Sequence, residues 1–76
     1  MDPQEALRLV AAEAAAARSG NRVFLSFHEG YAVLLEEVRE LEAEVFKKPA
    51  ARSPAALEVE AAHIGAMALR FLTELC

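Results

Sequence analysis

Seventy-six residues, 55 % of them hydrophobic, with a net charge of −4 and a single cysteine, describe one small domain with more apolar surface than it can bury. The acidic balance excludes nucleic acid as the main partner, because phosphate binding needs a basic patch. One cysteine excludes a disulfide framework and any cysteine-based zinc site, so oligomerisation is the expected stabiliser of so short a chain.

The N-terminal Asp2–Pro3 followed by Glu5 predicts a helix start: Asp caps well, Pro suits the first helical position, and Glu stands at capping-box spacing. The helix is expected over about 3–18, ending at "SGN", where Gly20 is expected to take the left-handed conformation. Its alanines favour helix and admit a close neighbour, and it reads as a plain packing helix.

Val23, Phe24 and Leu25 are too few for a sheet of their own. Ser26 and Glu29 repeat the capping-box spacing, which predicts a second helix over about 26–48. Phe27, Leu34, Val38, Leu41 and Val45 form its apolar stripe with Tyr31 beside them, and Gly30 suggests close approach of a neighbour. At about 100° per residue, Glu29, Glu36 and Glu40 point away from that stripe, while Glu37 and Glu44 flank it. "KKPAARSP" is the clearest break in the chain, and Ser53–Pro54 opens a third helix over about 54–75. The expectation is an all-α chain of three helices in one domain, residues 1–76, with its bundle completed by oligomerisation.

The third helix raises the chemical question. Leu57, Glu60, Ile64, Met67, Phe71 and Leu75 share one seam, apolar except for Glu60. An ionised carboxylate in a helix seam costs several kcal/mol unless it is paired, neutralised or bound to a cation. A Lys or Arg from another helix, a seam edge open to water, and a divalent cation shared with Glu37 and Glu40 all answer it. Hard oxygen ligands from facing helices suit Mg²⁺.

"HEGYAVLLEEVRELEAEVFKK" at 28–48 and "EAAHIGAMALRFL" at 60–72 resemble the small MazG-like members of the all-α nucleoside triphosphate pyrophosphohydrolases. The resemblance covers roughly residues 26 to 73, and the first helix matches only in type. That family carries a Glu-x-x-Glu motif on one helix and a Glu-x-x-Asp motif on a later one, and these carboxylates bind Mg²⁺. Glu37 and Glu40 match the first motif, Glu36 is the extra glutamate often preceding it, and Glu60 opens the second. His63 stands where the family has Asp, and imidazole is a better ligand for Mn²⁺ or transition metals than for Mg²⁺.

The resemblance implies a metal-dependent hydrolase that splits a nucleoside triphosphate into a monophosphate and pyrophosphate, with Mg²⁺ or Mn²⁺ held by Glu37, Glu40, Glu60 and His63. Glu36 or Glu37 is the expected base, and Lys47, Lys48 and Arg52 are the expected phosphate contacts, with Arg70 a further candidate. Phe24, Phe27, Tyr31 and Met67 are candidates to stack on a base, although core packing is the first expectation for each. The alternative is a catalytically inactive MazG-like module for oligomerisation or regulatory nucleotide binding. A purely structural bundle would need Glu60 to pair with an arginine. No apolar run approaches a membrane span and the N-terminus shows no signal-peptide pattern, so a cytoplasmic homodimer or homotetramer is expected, with neither nucleic acid nor membrane as partner.

Overall fold

The computed structural model describes residues 1–76, and they form three α-helices and no strand. Helix α1 spans Pro3–Gly20, α2 Phe27–Val45 and α3 Pro54–Leu75, with a short 3₁₀ turn at Pro49–Ala51 between the last two. No helix is long and apolar enough to cross a membrane.

The starts follow from their caps. Asp2, Ser26 and Ser53 each accept a hydrogen bond from the backbone N–H three residues on, at Glu5, Glu29 and Ala56 respectively. The ends depart from expectation. Gly20 does not turn left-handed: no glycine has a positive φ, and α1 continues through it. The Asn21 amide does the capping instead, donating to the Ala17 carbonyl at 2.9 Å. Helix α2 stops at Val45 rather than near Lys48. Pro49 forces Lys48 into an extended conformation (φ −58°, ψ 144°), and Arg52 folds back to donate to the carbonyls of Val45 (2.8 Å) and Lys47 (3.3 Å).

Helix α3 is the hub. Both α1 and α2 pack on it, and they do not pack on one another. Small residues set the spacing: a Cβ on Gly65 would stand 2.9 Å from Val10 of α1, and one on Gly30 would stand 2.8 Å from both Phe71 and Leu75 of α3. Gly30 thus marks the close approach its sequence position suggested. The core is Ala14, Phe24, Ala66 and Met67, flanked by Ala17, Val33, Leu34, Leu69 and Leu75. Burying Phe24 or Met67 is worth about 2 kcal/mol each.

The loop between α1 and α2 is tied down by a buried charge pair of α3. Arg70, 3 % exposed, donates from Nε to Glu74 Oε2 at 2.7 Å and from Nη2 to the Arg22 carbonyl at 3.1 Å. Its guanidinium lies 4.3 Å over the Phe24 ring, and Glu74 Oε1 accepts from the Phe24 N–H at 2.8 Å. Phe24 is therefore a core plug held by its backbone as well as its ring.

The inward face of α2 keeps the middle of the stripe read in the sequence, Leu34, Val38 and Leu41, but not its ends. Gly30 and Glu44 are its buried residues, and Val33, Leu34, Glu37, Val38 and Leu41 are half-buried. Phe27, Tyr31 and Val45 lie exposed. Glu44 is buried because it stitches two elements together: it accepts from Lys47 Nζ at 2.9 Å and from the Ser53 N–H, at the start of α3, at 2.9 Å.

Candidate metal centre

Two facing helix turns build the centre. Glu37 and Glu40 are three apart on α2, and Glu60 and His63 are three apart on α3, so each pair projects from one side of its helix. The packing of α2 on α3 brings the pairs together, with one ligand atom from each of the four residues within 4.8 Å of all the others.

Oε2 of Glu37 and Oε2 of Glu60 are withdrawn from water and accept no hydrogen bond. His63 Nδ1 is 3.5 Å from Glu37 Oε2 and 4.0 Å from Glu60 Oε2. No lysine or arginine pairs with Glu60, so the arginine-paired seam required by a purely structural bundle is not formed. Burial pushes the Glu37 and Glu60 carboxyls above the ordinary carboxylate range, and the neighbouring Glu40 pushes both further. Gathering three carboxylates at one place makes their ionisation costly, and a bound cation would offset that cost.

The donor set fits a divalent ion. Three carboxylates offer hard oxygen ligands for a divalent ion, and the two orphaned oxygens are the atoms a cation would satisfy. The imidazole shifts the preference from Mg²⁺ towards Mn²⁺.

A residue the sequence reading passed over completes the surroundings. Glu13 of α1 brings Oε2 to 3.4 Å from His63 Nε2, so His63 stands between carboxylates from both flanking helices. The sequence of α1 reads as a plain packing helix and assigns Glu13 no role. The available signal was that Glu13 is the one acidic residue between Ala6 and Gly20, three positions after Val10, which packs on α3. In metal sites a carboxylate on the far nitrogen of a histidine orients the ring, and Glu13 has that relation to His63.

The centre opens into a cleft of about 590 Å³ between α1 and α2. Glu13, Glu37 and His63 stand along it, Val33 and Met67 contribute apolar wall, and Arg22 lines it too. Arg22 is engaged with Glu29 through two hydrogen bonds of 2.8 and 2.6 Å, which hold the Glu29 carboxyl down at about 2.

The remaining predicted site residues lie outside the four-residue cluster. Glu36 is exposed on α2, about 100° around the helix from Glu37. Lys47 is engaged by Glu44, Arg52 by the end of α2, and Lys48 is exposed without a side-chain hydrogen bond. Arg70, the further phosphate candidate, is committed to Glu74 and Phe24. Of the aromatic and Met candidates, Phe24 and Met67 line the cleft, while Phe27 and Tyr31 lie outside it. No family model, curated protein or solved structure matches the chain.

Proposed function

We propose that Glu37, Glu40, Glu60 and His63 hold a divalent cation, Mg²⁺ or Mn²⁺, and that the chain is a small MazG-like nucleoside triphosphate pyrophosphohydrolase. On this reading it works in the cytoplasm as a homodimer or homotetramer. The observation that carries the metal is the pair of orphaned carboxylate oxygens on facing helices, with no basic side chain of lysine or arginine beside them. The hydrolase assignment adds the resemblance of residues 26 to 73 to that family.

A bound ion would supply positive charge against the triphosphate and lower the pKa of water at neutral pH. Water attack between the α- and β-phosphates yields the nucleoside monophosphate and pyrophosphate. Glu36, exposed and outside the four-residue cluster, is the carboxylate left free of the ion to take the attacking water's proton, and Glu37 is the second candidate. The cleft is of small-ligand size, with Val33 and Met67 as apolar wall for the nucleoside. Lys48 is the predicted phosphate contact left free of a hydrogen-bonded partner.

One specific pair of observations favours a second reading, the inactive nucleotide-binding or oligomerisation module. His63 replaces the family's carboxylate, and Lys47 and Arg52 are spent on Glu44 and on the end of α2.

Calorimetry separates the readings. Wild-type chain is expected to bind Mn²⁺ saturably and Mg²⁺ more weakly, and Glu60→Gln to lose both while its metal-free form melts no lower than wild type. Pyrophosphate release is then followed over a panel of nucleoside triphosphates with the metal that binds. Binding without pyrophosphate release from any of them selects the inactive module. No binding of either ion removes the metal centre altogether.

A further inference from the structure

The packing of α2 on α3 leaves a second surface that shares no residue with the cleft. Tyr31 and Leu34 of α2 and Ala68, Phe71 and Leu72 of α3 line a shallow groove made of hydrophobic residues alone. Phe27 extends it, its ring stacked on Phe71 with centroids 5.9 Å apart and planes 30° from parallel. Phe27, Tyr31 and Leu72 are each 61 % exposed.

We propose that this groove is the surface through which two copies of the chain pair. The proposal gives a face to the oligomer included in the proposed function and is independent of the metal centre.

Surface area is the first argument. The chain exposes 5265 Å², whereas a folded monomer of its mass, 8.3 kDa, exposes about 4,600 Å². The excess, about 700 Å², is close to the roughly 800 Å² that each partner contributes to an interface of standard size. A chain in which eight of 76 residues are buried, none of them a large side chain fully withdrawn from water, has little core of its own to offset the entropy of folding.

The chemistry of the lining is the second argument, and it selects the occupant. The groove carries no charged side chain with which to recognise a partner of complementary charge, and the Tyr31 hydroxyl is the one hydrogen-bonding group among its lining side chains. An uncharged surface can meet its own copy across a twofold axis without bringing like charges together. Tyr31, Phe27 and Phe71 are also the residue types that concentrate at the centres of interfaces.

The sequence supplies a probe at the right place. Tyr31 is the only tyrosine and there is no tryptophan, so the ultraviolet fluorescence of the chain reports on that side chain. The experiment uses the full chain with chelator present, which keeps its outcome separate from metal binding. Sedimentation equilibrium is expected to give twice the chain mass at high concentration, with acrylamide quenching of Tyr31 falling severalfold as the mass doubles. Leu72→Lys should sediment as a monomer with its helical circular dichroism retained. Leu7→Lys, at an exposed apolar position on α1, should pair like wild type. A wild type that stays at the single-chain mass overturns the proposal. So does a dimer in which Tyr31 remains fully quenchable, since the pairing surface is then elsewhere, for example across the cleft. Should Leu72→Lys lose its helicity, the wild-type mass and quenching decide the matter alone.

Discussion

Arg70 and Glu74 hold opposite charges almost out of water, with side chains 4 % and 2 % exposed, and between them they fix the Arg22–Phe24 backbone. Removing one partner of such a pair leaves the other buried and uncompensated, which costs more than the pair itself contributes. Glu74→Gln is expected to lose about 3 kcal/mol in urea unfolding, and a loss below about 1 kcal/mol would mean that water reaches the guanidinium. The pH dependence follows from the direction of the shift. Arg70 holds the Glu74 carboxyl below its ordinary value. Its contribution is therefore complete above the unfolded carboxylate pKa of about 4.3 and disappears as the pH falls through the lowered native value. Glu29 and Glu44, lowered by Arg22 and Lys47, behave alike, so wild type should weaken in acid and Glu74→Gln should show a shallower acid limb. Glu37 and Glu60 act in the opposite sense: their raised values make ionisation a cost that grows as pH rises out of the acid range. These residues also show what the sequence made legible. Three-residue spacing on a helix is a local property, so the pair Glu37–Glu40 is legible before any packing is known, as is Glu60 in its apolar seam, whereas His63 enters only through the family resemblance. Glu13 beside His63 and Arg70 beneath Phe24 depend on how helices meet. Nothing local announces either contact.

Helix boundaries were legible at their starts, because Asp2, Ser26 and Ser53 act within a single turn. The ends were not, since Asn21 and Arg52 reach back from the following loops to do the capping. The face of α2 is legible at Leu34, Val38 and Leu41 but not at Phe27 and Val45. The stripe runs through large apolar residues, but contact with α3 also depends on Gly30, which lies tight against Phe71 and Leu75, and on Glu44, which reaches the start of α3. That contact turns Phe27 and Tyr31 outwards. Gly30→Ala tests the geometry at this scale. Alanine gains about 1 kcal/mol of helix propensity, but its Cβ would meet Phe71 and Leu75 at 2.8 Å, and overpacking of that kind costs roughly 1–3 kcal/mol. The expected balance is a net loss of about 1 kcal/mol in chemical denaturation. A stabilised variant would show that both side chains swing clear at little cost.

At the scale of the molecule, α1 and α2 meet only through α3, in a body 19 Å across its thinnest dimension. The Glu37–Glu40–Glu60–His63 cluster joins α2 to α3, and His63 extends towards Glu13 on α1, so an ion held there would act on all three helices at once. Without it, the carboxylates repel across the α2–α3 seam. A ligand that binds the folded chain alone stabilises it by mass action, about 2.7 kcal/mol when present at a hundred times its dissociation constant. In a domain of this length each kcal/mol moves the melting temperature by about 4–8 °C, so saturating Mn²⁺ should raise Tm by on the order of 10 °C. Chelator should reverse the rise, and Glu60→Gln should show none. Pairing through the α2–α3 groove would also raise Tm, but with a different signature: it would depend on protein concentration and persist in chelator. Melting the chain over a grid of protein and Mn²⁺ concentrations therefore resolves the two contributions. A Tm that responds to protein concentration and not to Mn²⁺ would leave the carboxylate cluster as uncompensated charge, retained in a helical pair that its apolar faces alone hold together.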